Sequence, residues 1–293
     1  MEQSTKVASV VIPTYNRAAR IERTLVSALN QEYENVEIIV VDDGSTDDTE
    51  AVVRNIAADN TSTAGKRLRY IRQQNSGACV ARNRGMMHAR GHYLMFLDSD
   101  DLIKPGLIRA QVAAIERDDS ECAICDFEVV DESGSLIAIR QNNLHPHEFV
   151  RSYTSTSVST VLMRRDTVPP GLQWNPRLYR AQDVDFIFKY LSTVRLWSYV
   201  DYPFFQYVHH QDDRVSDSYR LGMQYREMRR SYASFLQSNS AFITGDADEL
   251  RRAYFGALRR RHARDVGATV VPRPIRTIIK KFLGRQAVRR GIN

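Results

Sequence analysis

Three nearly uninterrupted apolar runs, each followed by a stretch of helical spacing, constrain this chain more than any other feature. They are Val7-Ala8-Ser9-Val10-Val11-Ile12, Glu37-Ile38-Ile39-Val40-Val41 and Tyr93-Leu94-Met95-Phe96-Leu97, with a shorter candidate at Arg69-Tyr70-Ile71. Strands that are apolar on both faces need cover on both faces. The cover is encoded between them. Ala18–Asn30 places Ile21, Leu25, Ala28 and Leu29 on one helical face, Val52, Val53 and Ile56 mark a second helix, and Gly77–Ala89 reads as a third. This alternation predicts an α/β fold with a single Rossmann-like, mostly parallel sheet flanked by helices.

In open sheets of this kind ligands bind beyond the carboxyl ends of the strands. Here those ends carry Thr14-Tyr15-Asn16, Asp42-Asp43 and Asp98-Ser99-Asp100-Asp101. Clustered carboxylates repel one another and resist desolvation, and a cation relieves both costs. Hard oxygen ligands on a loop suit Mg²⁺ or Mn²⁺, with substrate phosphates completing the shell. Alone, the acidic run reads equally well as a surface turn or a helix N-cap. Three polar loops converging on one sheet edge require an explanation that covers all three.

The second half has a helix after Pro105 running to about Arg117, then strands at Cys122–Val130, Val158–Met163 and Leu196–Tyr207. A turn falls at Glu132-Ser133-Gly134-Ser135, an irregular loop at Trp174–Gln182, a short helix at Asp183–Thr193, and largely helical sequence over 219–264. A length of 293 residues, 43% hydrophobic, suits one large α/β domain with an appendage or two small domains. No run of about 18 apolar residues predicts a transmembrane helix. The first residues lack a signal-peptide pattern, so a cytoplasmic location is expected. The three cysteines are Cys79, Cys122 and Cys125. The C-x-x-C spacing of the last two lies in a strand without a second pair, and buried thiols are expected.

The net charge of +6 hides an asymmetry. Residues 251–293 carry 13 Lys/Arg and one acid, Asp265, whereas residues 1–250 carry 28 basic and 34 acidic residues. A basic tail implies an anionic partner: a lipid surface, a nucleic acid or an acidic polymer. Within it Ile275, Ile278, Ile279, Phe282 and Leu283 follow helical spacing, with Arg276, Lys280, Lys281, Arg285 and Arg289 beside or opposite them. An amphipathic basic helix over 271–293 would lie on an anionic membrane surface, or pack its stripe on the domain.

Four motifs in order carry a resemblance to a known family. Val10-Val11-Ile12-Pro13-Thr14-Tyr15-Asn16, Val41-Asp42-Asp43-Gly44-Ser45-Thr46-Asp47, Asn75-Ser76-Gly77 with Ala81-Arg82-Asn83, and Phe96-Leu97-Asp98-Ser99-Asp100-Asp101 resemble a family 2 glycosyltransferase of the GT-A fold. The resemblance covers about 7–215. It implies a catalytic domain over 1–215, with a nucleotide-sugar half at about 1–104 and an acceptor half at about 105–215, followed by a helical, basic extension over 216–293.

The resemblance further implies roles at matching positions. Pro13, Thr14 and Tyr15 would hold the uracil and ribose, with Tyr15 stacking on the base. Asp43 would accept from the base N–H, and Asp42 would either support it in contact with the nucleotide or cap a helix. Arg82 would lie near the nucleotide or pair with one of these aspartates. Asp98-Ser99-Asp100 matches the metal motif: Asp100 as the ligand, Asp98 on the ribose or the metal, and Asp101 at the start of the next helix. Ala181-Gln182-Asp183-Val184-Asp185-Phe186 is similar to the family's Glu-Asp segment with Gln in place of Glu, which makes Asp183 the base and Asp185 its structural competitor. In Tyr207-Val208-His209-His210-Gln211, Val208 stands where the family has Arg. His210 then either approaches the metal or diphosphate or is a loop histidine. Trp174 either walls the acceptor pocket or lies in the core.

The implied function is inverting transfer from a nucleoside-diphosphate sugar, UDP-linked, to an acceptor hydroxyl. The implied cofactor is Mg²⁺ or Mn²⁺, and the acceptor is a polysaccharide or lipid-linked glycan. The expected setting is the cytoplasm or its membrane face. Two other classes compete. A dinucleotide-binding oxidoreductase needs a Gly-rich loop after the first strand, and Pro13-Thr14-Tyr15-Asn16 has no glycine. A nucleic-acid-binding protein would use the basic tail but leaves the acidic strand ends unexplained, so no nucleic-acid partner is expected. A catalytically inactive family member is a third reading, with Asp183 the residue to inspect.

Overall fold

The computed structural model describes residues 6–59, 67–142, 157–210, 218–244 and 246–256. The amphipathic tail at 271–293 and the end of the predicted helical stretch, 257–264, lie outside them. Among the described residues nine strands form one sheet in the order β3-β2-β1-β4-β8-β6-β9-β5, with β7 paired to β6. The strands are β1 Ala8–Thr14, β2 Val36–Asp42, β3 Arg67–Arg72, β4 Tyr93–Phe96, β5 Leu102–Ile103, β6 Cys122–Asp131, β7 Leu136–Arg140, β8 Val161–Arg164 and β9 Trp197–His209. β3, β2, β1 and β4 run parallel, as does the long β6–β9 ladder. The β4–β8, β6–β8, β5–β9 and β6–β7 ladders are antiparallel and shorter.

Helices α1 Ile21–Leu29, α2 Thr49–Asp59, α3 Ala78–His88, α4 Leu107–Asp118, α5 Gln182–Leu191 and α6 Ser218–Ser238 complete the main elements. A further helical segment follows at 247–256. Successive side chains of β1 and β2 point to opposite faces. Val10, Ile12, Ile38 and Val40 therefore join one apolar cluster with Leu25 of α1, Val53 of α2 and Ile115 of α4. Val11, Ile39 and Val41 join another with Cys79 of α3 and Phe186, Ile187 and Tyr190 of α5. α3 can approach β1 because it carries Gly85 there: a Cβ at that position would fall 2.2 Å from Val11 Cγ1.

A third cluster packs Tyr225, Met228, Tyr232 and Leu236 of α6, with Leu250 and Tyr254, onto Val184 and Phe188 of α5. Cys122 and Cys125 sit in different clusters on opposite faces of β6, and all three thiols are buried and free. Spacing of three along a strand separates side chains across the sheet. The C-x-x-C spacing therefore brings no thiols together.

β5 and β7 were not anticipated. The 158–163 strand prediction also shifts, because Val158–Thr160 forms a 3₁₀ turn and the strand begins at Val161. Trp174 is fully buried, stacked on Phe186 at 4.4 Å between ring centroids, and so belongs to the core.

Candidate active site

The loops after β1 and β2 are stitched to each other, and this is what makes their polar residues a site. Asp43 N donates to Thr14 O (2.8 Å), Asn16 N to Ser45 Oγ (2.9 Å) and Thr46 N to Asn16 Oδ1 (2.8 Å). Arg17 N donates to Thr49 Oγ1 (2.9 Å). Asn16 adopts positive φ to do this (51°), which Asn tolerates better than most residues. Gly44 also turns at positive φ (81°), where a Cβ would come within 3.0 Å of Asn75 N and 3.1 Å of Gln73 O.

Asp42 and Asp43 diverge. Asp42 is fully buried: Oδ1 accepts from Ser45 N (2.8 Å) and Oδ2 from the Tyr70 hydroxyl. It therefore shapes the loop and does not line the cleft, which corrects its expected nucleotide contact. Asp43 lines the cleft while Oδ1 accepts from Gln73 Nε2 and Ser76 N (both 2.8 Å) and Oδ2 from Gly77 N (2.7 Å). A carboxylate has about four lone-pair sites, so one on Oδ2 remains for a donor in the cleft.

The cleft itself, about 250 Å³, is lined by Pro13, Thr14, Tyr15, Arg17, Asp43 and Asp98-Ser99-Asp100, with Ala78, Ala81 and Arg82 of α3. Tyr15 is 43% exposed, with its ring available to a ligand. Arg82 spans the floor: Nη2 donates to Asp98 Oδ1 (2.7 Å), Nη1 to Gln182 Oε1 (2.8 Å), and the guanidinium stacks 4.4 Å over Trp174. Burial alone would push this guanidinium down, and the charge and hydrogen bond of Asp98, with smaller contributions from Cys79 and Asp183, together hold it above its ordinary value. Gln182 is thus a fixed hydrogen-bond acceptor for Arg82. Next to it, Asp183 stands in the first turn of α5, where the helix dipole favours a carboxylate. Its charge is felt by both Arg82 and Tyr207. Asp185 is fully buried, bonded to Lys189 Nζ (2.5 Å) and Tyr254 (3.3 Å), so it is structural.

The acidic strand end separates into distinct environments. Asp100 is raised above the ordinary carboxylate range by burial and by the Asp98 charge, against Arg17 (3.6 Å) and His210 (4.0 Å). Asp101 is raised further by burial and both neighbours. Its carboxylate accepts from Val208 N (2.9 Å), holding β9. The N-cap of α4 is Gly106, so Asp101 is not the helix cap that was expected.

Arg17 and Glu132 were missed. Arg17 continues the Thr14-Tyr15-Asn16 motif, so its position was a usable signal. Glu132, in the β6–β7 turn, accepts from His210 Nδ1 (2.6 Å), and no motif points to it. The turn is brought to His210 by the β6–β9 register, which pairs Asp131 with His209.

Buried polar atoms without partners are scarce in folded proteins. Among the described residues seven side-chain atoms are of this kind, and three of them, Thr14 Oγ1, Arg82 Nε and His210 Nε2, belong to this site. His210 Nε2 faces Asp100, and no cage of three or more His, Cys, Asp or Glu side chains is preassembled among the described residues. A carboxylate, a neighbouring imidazole nitrogen and open positions fit a divalent ion that shares its shell with substrate phosphates.

The model of the family described as Glycosyl transferase family 2 matches residues 9–168. The hyaluronan synthase of Pasteurella multocida is 30% identical over 222 residues, 74% of this chain and 22% of its own length. The glycosyltransferase GlyG of Streptococcus pneumoniae is 34% identical over 44% of this chain and 42% of its own. The chain spans less than half the length of these curated relatives. The crystal structure of S. aureus TarS 1-349 in complex with UDP-GlcNAc superposes with TM-score 0.69 at 19% identity, over 92% of this chain and 77% of that one. The same protein in complex with UDP gives 0.67 at 21% identity, over 92% and 76%. These likenesses identify the architecture as the GT-A fold. With the family model spanning more than half of its length, this chain belongs to glycosyl transferase family 2.

Proposed function

We propose that this chain is an inverting glycosyltransferase that moves a sugar from a UDP-sugar to a hydroxyl of a polysaccharide or lipid-linked glycan. The observation that carries the reading is the convergence of three unpartnered buried polar atoms, Thr14 Oγ1, Arg82 Nε and His210 Nε2, at one acidic sheet edge. The UDP and UDP-GlcNAc complexes of TarS support the donor class. The hyaluronan and chondroitin synthases of Pasteurella multocida support a polysaccharide acceptor.

In this reading Tyr15 stacks on the uracil, and Pro13 and Thr14 border it. Asp43 accepts the base N–H. Arg82, Asp98 and Ser99 line the ribose and diphosphate. Asp183 accepts the proton of the acceptor hydroxyl as its oxygen attacks the anomeric carbon. The bond from that carbon to the diphosphate oxygen breaks, and its electron pair leaves with the UDP. Asp100 and Asp98, with His210, would hold Mg²⁺ or Mn²⁺, which would neutralise charge on the departing diphosphate. We assign residues 1–215 to the catalytic domain and 216–293 to an extension, in a cytoplasmic setting. Among the described residues no helix is long and apolar enough to cross a membrane.

A panel of nucleotide sugars with Mg²⁺ or Mn²⁺, scored for nucleotide release, tests the activity. Asp183→Asn is expected to bind UDP as tightly as the parent and to lose transfer by at least about 100-fold. Asp100→Ala is expected to lose the dependence on added cation together with transfer. Equal loss of binding and transfer in Asp183→Asn would make Asp183 structural, and full activity of Asp100→Ala would remove the cation site.

A further inference from the structure

The outer face of α6 carries a charge pattern that the donor cleft does not use. Tyr225, Met228, Tyr232 and Leu236 are buried against α5 and its neighbours. Arg226, Arg229 and Arg230 are exposed: Arg226 and Arg230 turn away from that buried stripe, and Arg229 flanks it. With Ala233 they meet Arg251 and Phe255 of segment 247–256 around a shallow groove of about 260 Å³. Arg229 and Arg251 lie over the Phe255 ring, at 4.5 and 5.5 Å from its centroid. The ring organises two guanidinium groups that would otherwise repel.

Among the described residues no acidic side chain lines this groove. Glu227, the carboxylate nearest in sequence, turns to Asn175 (3.2 Å) and Arg177 (3.8 Å). Among the described residues none of the four arginines has a carboxylate partner. A guanidinium fork matches the oxygens of a phosphate group bidentately. Four such forks around an aromatic ring fit several phosphates presented together on a surface that also offers apolar contact. The sequence that continues past the groove supplies 11 more Lys/Arg against one acid, interspersed with Ile275, Ile278, Ile279, Phe282 and Leu283. Mixed basic and large apolar composition suits a lipid interface better than a purely hydrophilic polyanion.

We propose that the arginine groove between α6 and segment 247–256 docks on anionic phospholipid headgroups and holds the protein against a membrane surface. The proposal is separate from the donor chemistry: the groove residues do not line the cleft, and either reading can fail alone.

The test is flotation of the full chain with vesicles of phosphatidylcholine alone and of phosphatidylcholine with phosphatidylglycerol. The parent is expected to float only with the anionic vesicles. The variant Arg226→Gln/Arg229→Gln/Arg230→Gln/Arg251→Gln is expected to weaken that partitioning by at least about tenfold, as each basic residue near the surface adds to the attraction. The four Lys replacements keep the charge but lose the forks, and are expected to retain only part of it. The milder pair Arg226→Gln/Arg230→Gln leaves both arginines on Phe255 and is expected to show a partial loss, which guards against misfolding of the quadruple variant. UDP binding should be unchanged throughout. Parent-like flotation of both Gln variants overturns the proposal. So does a loss of heparin binding in the Gln variants with vesicle binding intact, which would assign the groove to a soluble polyanion.

Discussion

Asp98, Asp100 and Asp101 are neighbours in sequence, yet each meets a different partner. Asp98 takes Arg82, Asp100 faces Arg17 and His210, and Asp101 holds the backbone of β9. The motif located these acids and could not assign them, because Val208 lies 107 residues from Asp101 and Gln182 lies 100 residues from Arg82. Asp42 was misassigned for the same reason: Tyr70, which takes its Oδ2, sits on a different strand. Glu132 was illegible because its role comes from strand register alone. Its carboxyl is held below the usual range chiefly by the hydrogen bond from His210. A carboxylate on one ring nitrogen fixes which nitrogen faces the site. Glu132→Ala is therefore expected to raise the Mn²⁺ concentration needed to support nucleotide binding by about tenfold. Glu132→Gln, whose carbonyl still accepts, should recover most of the loss. Calorimetric titration of Mn²⁺ in the presence of UDP reads both, and identical titrations of Glu132→Ala and parent would leave Glu132 as a turn residue only.

Long, doubly covered elements were legible, and short or half-wet ones were not. β1, β2 and β4 are buried along their whole length, so composition alone marked them. β5 has two residues, and β7 is largely exposed, with Leu136, Ile137 and Ile139 each more than half exposed. Neither offers the alternation that reports a strand. The α5–α6 junction is the element-scale feature with the clearest energetic consequence. Lys189 Nζ joins Asp185 (2.5 Å) to Ser231 (2.6 Å) with both charged groups buried. Burial raises the Asp185 carboxyl and the Lys189 charge opposes it. Removing one member strands the other, at a cost of roughly 3 kcal/mol. Lys189→Met is expected to lose about that much stability in urea titration, and Asp185→Leu/Lys189→Met to recover most of it. A single variant as stable as the parent would show that the pair is hydrated.

At the scale of the whole molecule, three apolar clusters stack in series, two on the faces of the sheet and the third beyond α5. The first two followed from the strand and helix periods. The third did not, since Tyr225, Tyr232 and Tyr254 gain their meaning only from Phe188 beneath them. The clusters also fix the chemistry of the three thiols. Burial pushes Cys79 and Cys125 up to about 12 and Cys122 higher still. Only thiolate reacts with disulfide reagents, so at pH 8 a thiol near 12 is ionised in about one molecule in ten thousand. The native protein should therefore leave Ellman's reagent nearly colourless, and denaturant should release three equivalents. Because Cys125 lies on one face of β6 and Cys122 on the other, the order in which they are labelled would tell which side of the sheet opens first. Three side chains with no part in the chemistry thus make the protein its own stopwatch for unfolding.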